Sequence, residues 1–424
     1  MYLLISIILI TIAYDSTKRT SILSPISFYL WFILFDLILL KLASNINSEV
    51  FYKYSALPAL NNTESTEFTF YVFFIIALIS WVITRNIKIN KQTISQEHKV
   101  YTKQKYEKVF FLLSGLVLLF SFILHAIEIN LSLIWHHYGY LTLDNPKTAG
   151  IDSSFGRLLH FAYRYLGLFS FITALYALYR KNIIAHIAFL FLSIYPLLIL
   201  FAQNSRWVPL YFVVGFIINV FLYGKIMKIQ NIVLVILGIF SFLKVLIGRS
   251  YEVQGISSTT KIFSEILNTG IVNFLALFNN AIQGGQNFSH ALQIDTNYST
   301  LYKILSFSPL VSAVDGFDSI RADNLAKITP FAPLNAYAEA WHFGIIYFMI
   351  FVIFLIIMIR QMTLLYSKRI NAISVISITL CYWCIFSVSQ YPIRNSWRLI
   401  IFLTLLGVGI NYYYKKYGKN KNNI

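Results

Sequence analysis

A carboxylate and an imidazole stand one helical turn apart in a polar stretch that opens an apolar segment. Glu339 and His342 are three residues apart within residues 335–344 (Asn-Ala-Tyr-Ala-Glu-Ala-Trp-His-Phe-Gly), and side chains with that spacing share one face of a helix. A carboxylate beside an imidazole in a medium of low dielectric constant is tuned for proton transfer. The alternative is a polar helix start with His342 at a membrane interface. The spacing predicts a catalytic pair, with Glu339 as a general base and His342 as the group that orients it or shares its proton.

Arginine is the second chemical feature of the chain. Its planar guanidinium binds a phosphate group through two hydrogen bonds, whereas lysine acts as a point charge. An ionisable residue at membrane depth is costly, so it is a functional candidate. The arginines outside the segments predicted below to face the cytoplasm are therefore candidate ligands of a lipid-linked diphosphate. They are Arg157, Arg164, Arg206, Arg249, Arg321, Arg394 and Arg398.

Each of these arginines also has an ordinary structural interpretation. A long basic side chain at the end of a membrane helix can extend its charge to the interface, and surface ion pairs are common. Arg249 has Glu252 nearby in the chain, and Arg321 has Asp318 and Asp323. The grouping at one boundary is more specific than any single arginine.

The elements that hold these side chains are predicted from composition. Of 424 residues, 58% are hydrophobic and only 12% are charged, whereas soluble proteins have about 45–50% apolar and about 25% charged residues. These values exclude a soluble enzyme, a disordered chain and a protein with one span. The two cysteines, Cys381 and Cys384, lie in an apolar run, so neither a disulfide framework nor a zinc or redox site is expected. No nucleotide-binding loop occurs, and neither a cofactor nor a metal is predicted.

Apolar runs of about 20 residues predict membrane helices. Eleven candidate spans occur, at residues 1–14, 23–43, 68–84, 109–127, 158–178, 183–202, 207–223, 232–247, 336–359, 373–389 and 397–413. The fold class predicted is an all-α polytopic membrane protein.

Loop charge assigns the two sides of the membrane. Residues 85–108 carry seven Lys or Arg, so this loop is predicted to be cytoplasmic by the positive-inside rule. Alternation of the spans then places the whole net charge of +17 on that side. The N-terminus is predicted outside and the C-terminus in the cytoplasm. The charge is explained by topology, and no nucleic-acid partner is expected.

The largest interruption of the apolar pattern is an outward-facing loop at residues 248–334. A loop of this length is usually functional or has its own structure. Residues 261–282 are amphipathic and are predicted to lie on the membrane surface or over a cavity, with Gly284 and Gly285 ending the segment. The chain is therefore divided into residues 1–247 with eight membrane helices, the loop at 248–334, and residues 335–424 with three membrane helices and a basic tail.

Three short motifs follow one another in this layout. Asn-Ser-Arg-Trp at residues 204–207 opens a span, Gly-Arg-Ser-Tyr-Glu at 248–252 follows the next span, and Tyr337, Glu339, Phe343 and Gly344 precede a further span after the long loop. The order resembles that of the Wzy-type oligosaccharide repeat-unit polymerases, which make O-antigen of lipopolysaccharide and capsular polysaccharide.

The resemblance implies a GT-C-like, inverting and metal-independent glycosyltransferase without a cofactor. It implies transfer of a growing glycan from undecaprenyl diphosphate to the next lipid-linked repeat unit, at the periplasmic face of the cytoplasmic (inner) membrane. Glu252 and Tyr337 join the arginines as implied substrate-binding residues. The implied partners are the lipid-linked donor and acceptor and membrane lipids, with a chain-length regulator and a flippase as further candidates.

Two other functions are compatible with the sequence. An O-antigen ligase performs the same chemistry with a lipid A–core acceptor, and the acceptor is not readable from the residues. A flippase or transporter of lipid-linked sugars should carry charged or broken helices near the bilayer centre. Mid-span charges are few here, and Asp36 is the clearest.

Overall fold

The described part of the chain is mainly α-helical. The computed structural model describes residues 1–45, 57, 58, 60, 62–87, 104–128, 135, 137–138, 154–223, 228–248, 253–268, 282–309, 320, 324, 326–329, 332–367 and 372–417. The helices described are α1 (Tyr2–Thr20), α2 (Pro25–Asn45), α3 (Thr63–Thr84), α4 (Gln104–Glu128), α5 (Ser154–Tyr179), α6 (Ile183–Ala202), α7 (Trp207–Tyr223), α8 (Ile229–Gly248), α9 (Thr259–Asn268), α10 (Gly284–Ala291), α11 (Thr300–Ser306), α12 (Ala336–Phe343), α13 (Ile345–Tyr366), α14 (Ala372–Gln390) and α15 (Ile393–Tyr417).

Length and apolarity identify the membrane helices. Among the described residues, six helical segments are long and apolar enough to span a membrane: Pro25–Asn45, Thr63–Thr84, Lys108–Glu128, Ile183–Ala202, Ile229–Gly248 and Ile345–Tyr366. Shorter apolar segments lie at Trp207–Tyr223, Ser374–Gln390 and Ser396–Tyr412. The prediction of an all-α polytopic membrane protein is confirmed. Each of ten predicted spans overlaps one continuous helix, and the exception is the ninth.

Local sequence sets several helix starts. The side chain of Asn62 accepts hydrogen bonds from the backbone N–H groups of Glu64 and Ser65, and Asn182 accepts one from Ala185. Pro25 occupies the first position of α2, where its missing N–H group is not needed. Each cap satisfies or removes a donor that the helix itself leaves unpaired.

The helices form two compact units. Unit 1 combines Met1–Thr93 with Ile271–Ile424, and unit 2 is Ile94–Gly270. The predicted division at residues 247 and 334 follows chain order and does not coincide with these boundaries. The segment predicted as one long loop contributes its first part, with α9, to unit 2 and its second part, with α10 and α11, to unit 1.

Two short helices lie in the interior of unit 1. All eight residues of α10 are buried, and six of the eight residues of α12 are buried. Phe288 of α10 packs edge-on against Phe73 of α3 and Trp341 of α12. The glycine pair predicted to end an amphipathic segment instead begins the buried helix α10. A helix of eight residues is about 12 Å long, too short to cross a membrane.

The predicted ninth span, residues 336–359, is not one helix. Gly344 has φ +116° and separates α12 from α13. The ring centroids of Trp341 and Phe348 are 5.3 Å apart, and those of Tyr337 and Phe351 are 5.6 Å apart. Each pair is nearly symmetric about residue 344, and the second pair lies farther from it in the chain than the first. Such paired contacts show that α12 folds back along the first half of α13. Apolar composition alone cannot distinguish this reversal from a continuous helix.

Contacts inside each unit join helix ends that alternation assigns to the same side. In unit 1, Arg19 at the end of α1 donates to the carbonyl oxygen of Arg85 after α3 at 2.6 Å, and Asn411 donates to Gln361 at 2.9 Å. In unit 2, Asn219 donates to Asn231 at 2.6 Å. All three contacts lie on the side predicted to be cytoplasmic, which supports the predicted alternation.

Unit 2 is held by packing of α5, α6, α7 and α8. Its buried cluster includes Phe171, Leu200, Val208 and Tyr211. The two-residue strand β1 (His137–Tyr138) pairs antiparallel with β2 (Val253–Gln254), so the segment after α4 meets the segment after α8. A second strand pair, β3 (Lys327–Thr329) with β4 (Ala332–Pro333), belongs to unit 1.

Candidate active site

Glu339 is buried inside unit 1 and does not lie at an exposed span start. Its side chain is 1% exposed. One carboxylate oxygen accepts the hydroxyl of Tyr302 at 2.7 Å, and the other accepts the backbone N–H of Ile393, the first residue of α15, at 2.6 Å. A carboxylate is stabilised at a helix N-terminus by free N–H groups and by the helix dipole. Burial, and then the Glu339 charge, raise the pKa of Tyr302, which keeps its hydroxyl a donor.

His342 contacts the C-terminal end of the short helix α10. Its Nε2 lies 2.8 Å from the carbonyl oxygen of Ala291, the last residue of α10. A carbonyl only accepts, so this nitrogen donates. Burial lowers the pKa of His342, and the Ala291 carbonyl and Asp295 act in the opposite direction. His342, the predicted partner of Glu339, therefore binds the C-terminal end of α10.

Asp36 is a second buried carboxylate at a helix start. Its oxygens accept the backbone N–H of Gly285, in α10, at 2.9 and 3.1 Å. Asn335, the cap of α12, donates to the carbonyl oxygen of Gly284 at 2.8 Å. The sequence marked Asp36 only as a charge in an apolar run, because its partner lies 249 positions away in the chain.

Tyr337 and the last two predicted arginines also belong to unit 1. The Tyr337 hydroxyl lies 3.0 Å from that of Tyr29, and both residues are buried. Arg394 and Arg398 are half-buried on α15, one turn apart. Arg394 donates to the carbonyl oxygen of Leu305 in α11. Arg394 directly follows Ile393, whose N–H group binds Glu339. The predicted base Glu339 and the predicted ligand Arg394 therefore lie near one another.

Arg164 lies beside the residue that follows Arg206 in unit 2. The guanidinium of Arg164, on α5, lies 5.3 Å from the ring centroid of Trp207 and 5.3 Å from that of Tyr165. Cation–π attraction operates at such distances. Arg206 precedes Trp207, and both arginines are half-buried. Two predicted diphosphate ligands 42 positions apart in the chain thus come to one place.

A buried lysine underlies the turn formed by residues 203–206. Lys244 of α8 is 0% exposed, and its Nζ donates to Asn204 Oδ1 at 2.5 Å and to the carbonyl oxygen of Phe201. Asn204 has φ +48°. Gly248 permits the approach of α8, since a Cβ there would lie 2.5 Å from Asn204 Oδ1. Sequence reasoning missed Lys244, although a lysine inside an apolar run was a visible signal.

The remaining predicted site residues are not placed. Arg249, Glu252 and Arg321 lie outside the described residues, as does the side chain of Arg157. Residues 269–281 of the predicted amphipathic segment also lie outside them. Its first part is the helix α9, in which Ile262 is buried and Phe263 packs against Phe240 of α8.

The two units differ in what their polar groups can do. In unit 1, Glu339 and Asp36 hold helix starts. In unit 2, Arg164, Arg206 and Lys244 come from three parts of the chain to the turn at residues 203–206, which we call the cationic turn. Partly exposed arginines on and beside a turn that is bound by a buried lysine suit an anionic ligand. Within the described ranges, no group of three or more His, Cys, Asp or Glu could hold a metal ion.

Comparison of the chain with models of protein families, with characterised proteins and with solved structures finds no match.

Proposed function

We propose that this protein is a Wzy-type polymerase that joins lipid-linked oligosaccharide repeat units. In this proposal it has eleven membrane helices in a GT-C-like arrangement. It acts at the periplasmic face of the cytoplasmic membrane, with its N-terminus periplasmic and its C-terminus cytoplasmic. The motifs at residues 204–207, 248–252 and 337–344, together with the placement of all the net charge on one side, support this proposal.

The cationic turn is the observation that carries the proposal. Glycan transfer from undecaprenyl diphosphate needs no nucleotide, because the donor brings its own leaving group. Negative charge grows on the diphosphate as the glycosidic bond breaks, and preorganised cations stabilise that charge. Arg164 and Arg206 offer forked donors, and Lys244 fixes the turn from below.

The test is an assay of purified protein with undecaprenyl-diphosphate-linked repeat units. Wild type should produce a ladder of products. We expect Arg206→Ala to reduce the rate on the order of 10²-fold, as for loss of one transition-state donor, and Arg206→Lys to recover part of it because Lys lacks the fork. Arg360→Ala is the matched control, since Arg360 is a half-buried arginine near the end of α13. A single transfer without a ladder would indicate a ligase, and an unaffected ladder in Arg206→Ala would remove the cationic turn from the site.

One structural observation favours a transporter as the second candidate. Transporters of many folds bind substrate where short half-helices start at membrane depth. In unit 1, α10 starts beside Asp36, the twelfth residue of the 21-residue helix α2, and α12 reverses into α13 at Gly344. Movement of a labelled lipid-linked unit across a vesicle membrane, without any new glycosidic bond, would support this function instead.

A further inference from the structure

Two imidazoles in unit 2 form a hydrogen-bonded pair. Nε2 of His125, on α4, lies 3.1 Å from Nδ1 of His160, on α5. The ring planes differ by 13° and the centroids are 5.3 Å apart. That separation is close to the nitrogen–nitrogen distance plus the two ring radii, so the rings meet edge to edge in one plane. The lone pair of one nitrogen then faces the N–H of the other.

The pair continues into a third group. Nδ1 of His125 lies 2.8 Å from the hydroxyl of Tyr195, on α6. In one tautomer His160 Nδ1–H donates to His125 Nε2, and His125 Nδ1–H donates to Tyr195. That tautomer leaves a lone pair on His160 Nε2. In this chain of hydrogen bonds, His125 orients His160 and Tyr195 orients His125. Catalytic bases are commonly oriented by a second residue that is itself held by a third.

An aromatic ring fixes the plane of the pair. The Tyr163 ring stacks on His125 at 4.6 Å and on His160 at 5.0 Å between centroids. The face of a phenol ring stabilises a cation above it, so it favours the pair after it has accepted a proton. The Tyr163 hydroxyl donates to Gln203 at 3.0 Å, and Gln203 is the first residue of the cationic turn.

Exposure separates the two histidines. His125 is 0% exposed, whereas His160 is half-buried. Among the described residues, no hydrogen bond is made by His160 Nε2. Besides Tyr163, the titratable or charged groups near the pair, by contact or within one helical turn, include Glu128 on α4, Arg164 on α5 and Tyr195 on α6. Tyr211 on α7 donates to the carbonyl oxygen of Arg164. Arg164 follows His160 by four residues, so the two share a helix face.

We propose that His160 is the general base of the transfer and that His125 is its positioning residue. This inference rests on the function proposed above. The acceptor hydroxyl gives its proton to His160 Nε2 while its oxygen forms a bond to the anomeric carbon. The bond from that carbon to the diphosphate oxygen breaks, and the diphosphate leaves with the electron pair beside Arg164. Glu339 then has a structural role, bound to Tyr302 and to the start of α15.

The experiment uses the ladder assay as a function of pH. His160→Ala should lower the rate on the order of 10²-fold or more, and added imidazole should restore part of it. The fall in rate on the acid side, which reports protonation of the base, should disappear in His160→Ala. His125→Gln should move that fall along the pH axis with KM unchanged. His186→Gln is the control, because His186 is a half-buried histidine of unit 2 whose ring binds the carbonyl oxygen of Ala174.

The outcomes are distinct. If wild type makes polymer and folded His160→Ala or His160→Gln matches its rate and pH profile, His160 is not the base and the proposed function survives. Loss of activity in His160→Ala with no imidazole rescue and an unchanged acid limb in His125→Gln would also overturn the inference. If wild type forms no glycosidic bond at all, both the function and the base are wrong.

Discussion

Buried carboxylates in unit 1 bind backbone N–H groups at helix starts. Glu339 does so for α15 and Asp36 for α10. A hydrogen bond to a charged group contributes roughly 1.5–3 kcal/mol, and a buried donor left without a partner costs about 1–3 kcal/mol. Both carboxylates are therefore expected to matter for folding, whatever else they do.

Replacement of Glu339 by Gln tests its role directly. Glu339 accepts one hydrogen bond on each carboxylate oxygen. Gln has a single acceptor oxygen, and its NH₂ group cannot accept, so either the Tyr302 hydroxyl or the Ile393 N–H loses its partner. We expect the free energy of unfolding to fall by about 1–3 kcal/mol, seen as a lower melting temperature in detergent. Tyr302→Phe, which removes one of the two bonds, is the matched control and should show a smaller fall.

The same variant tests the sequence-based prediction that Glu339 is the base. If Glu339 only caps α15, polymer yield should follow the amount of folded protein. A loss on the order of 10²-fold or more at an unchanged amount of folded protein would identify Glu339 as the base and contradict the assignment to His160.

Some of this residue-level chemistry was predictable and some was not. Arg206 was found because it stands in a polar step that opens a span, and Arg164 because it interrupts an apolar run. The His125–His160 pair was missed, because its members are 35 positions apart and lie on different helices. Residue type and spacing reveal partners only within one helix or turn.

At the scale of elements, apolar runs predicted the long helices well and the short ones poorly. The helix α10 is Gly-Gly-Gln-Asn-Phe-Ser-His-Ala, a composition typical of a loop. It is buried because each polar side chain has a partner: Asn287 donates to the carbonyl oxygen of Pro333 at 2.9 Å, for example. Such pairing depends on the tertiary structure, and no window of local sequence contains it.

Gly344 was the one local indication of the reversal between α12 and α13. Its φ of +116° lies in a region that L-residues rarely adopt, and a Cβ there would meet no atom within 4 Å. Strain in Gly344→Ala is therefore a backbone effect of about 1–3 kcal/mol. We expect a lower melting temperature and reduced insertion of folded protein.

A second glycine provides the comparison for that variant. Gly409 lies inside α15, and a Cβ there also meets no atom within 4 Å. Gly409→Ala should be neutral or should stabilise by about 0.5–1 kcal/mol, since alanine favours helix. Equal melting temperatures for the two alanine variants would show that residue 344 does not require glycine and that α12 and α13 can form a continuous helix.

For the whole molecule, the two units cut across the order of the chain. Unit 1 joins residues from both ends, whereas unit 2 is continuous. A division at the longest loop cannot reveal this arrangement. The length of a loop shows only how two helices are connected along the chain, whereas the units are defined by which helices pack together. The predicted membrane topology does not depend on the division into units, because it is fixed by the number of membrane crossings between two positions in the chain.

Reporters at two positions test that topology. Five predicted spans separate Asn90 from Asn297, and α10, which precedes Asn297, is too short to add a crossing. Asn297 is exposed, between α10 and α11, so an insertion there disturbs little packing. We expect an alkaline phosphatase fusion to be inactive after Asn90 and active after Asn297, because that enzyme folds only where disulfides form. A cytoplasmic fluorescent reporter should give the opposite pattern. Both points on one side would mean an even number of crossings among α4–α8, and the predicted alternation, with its periplasmic face for the cationic turn, would be wrong.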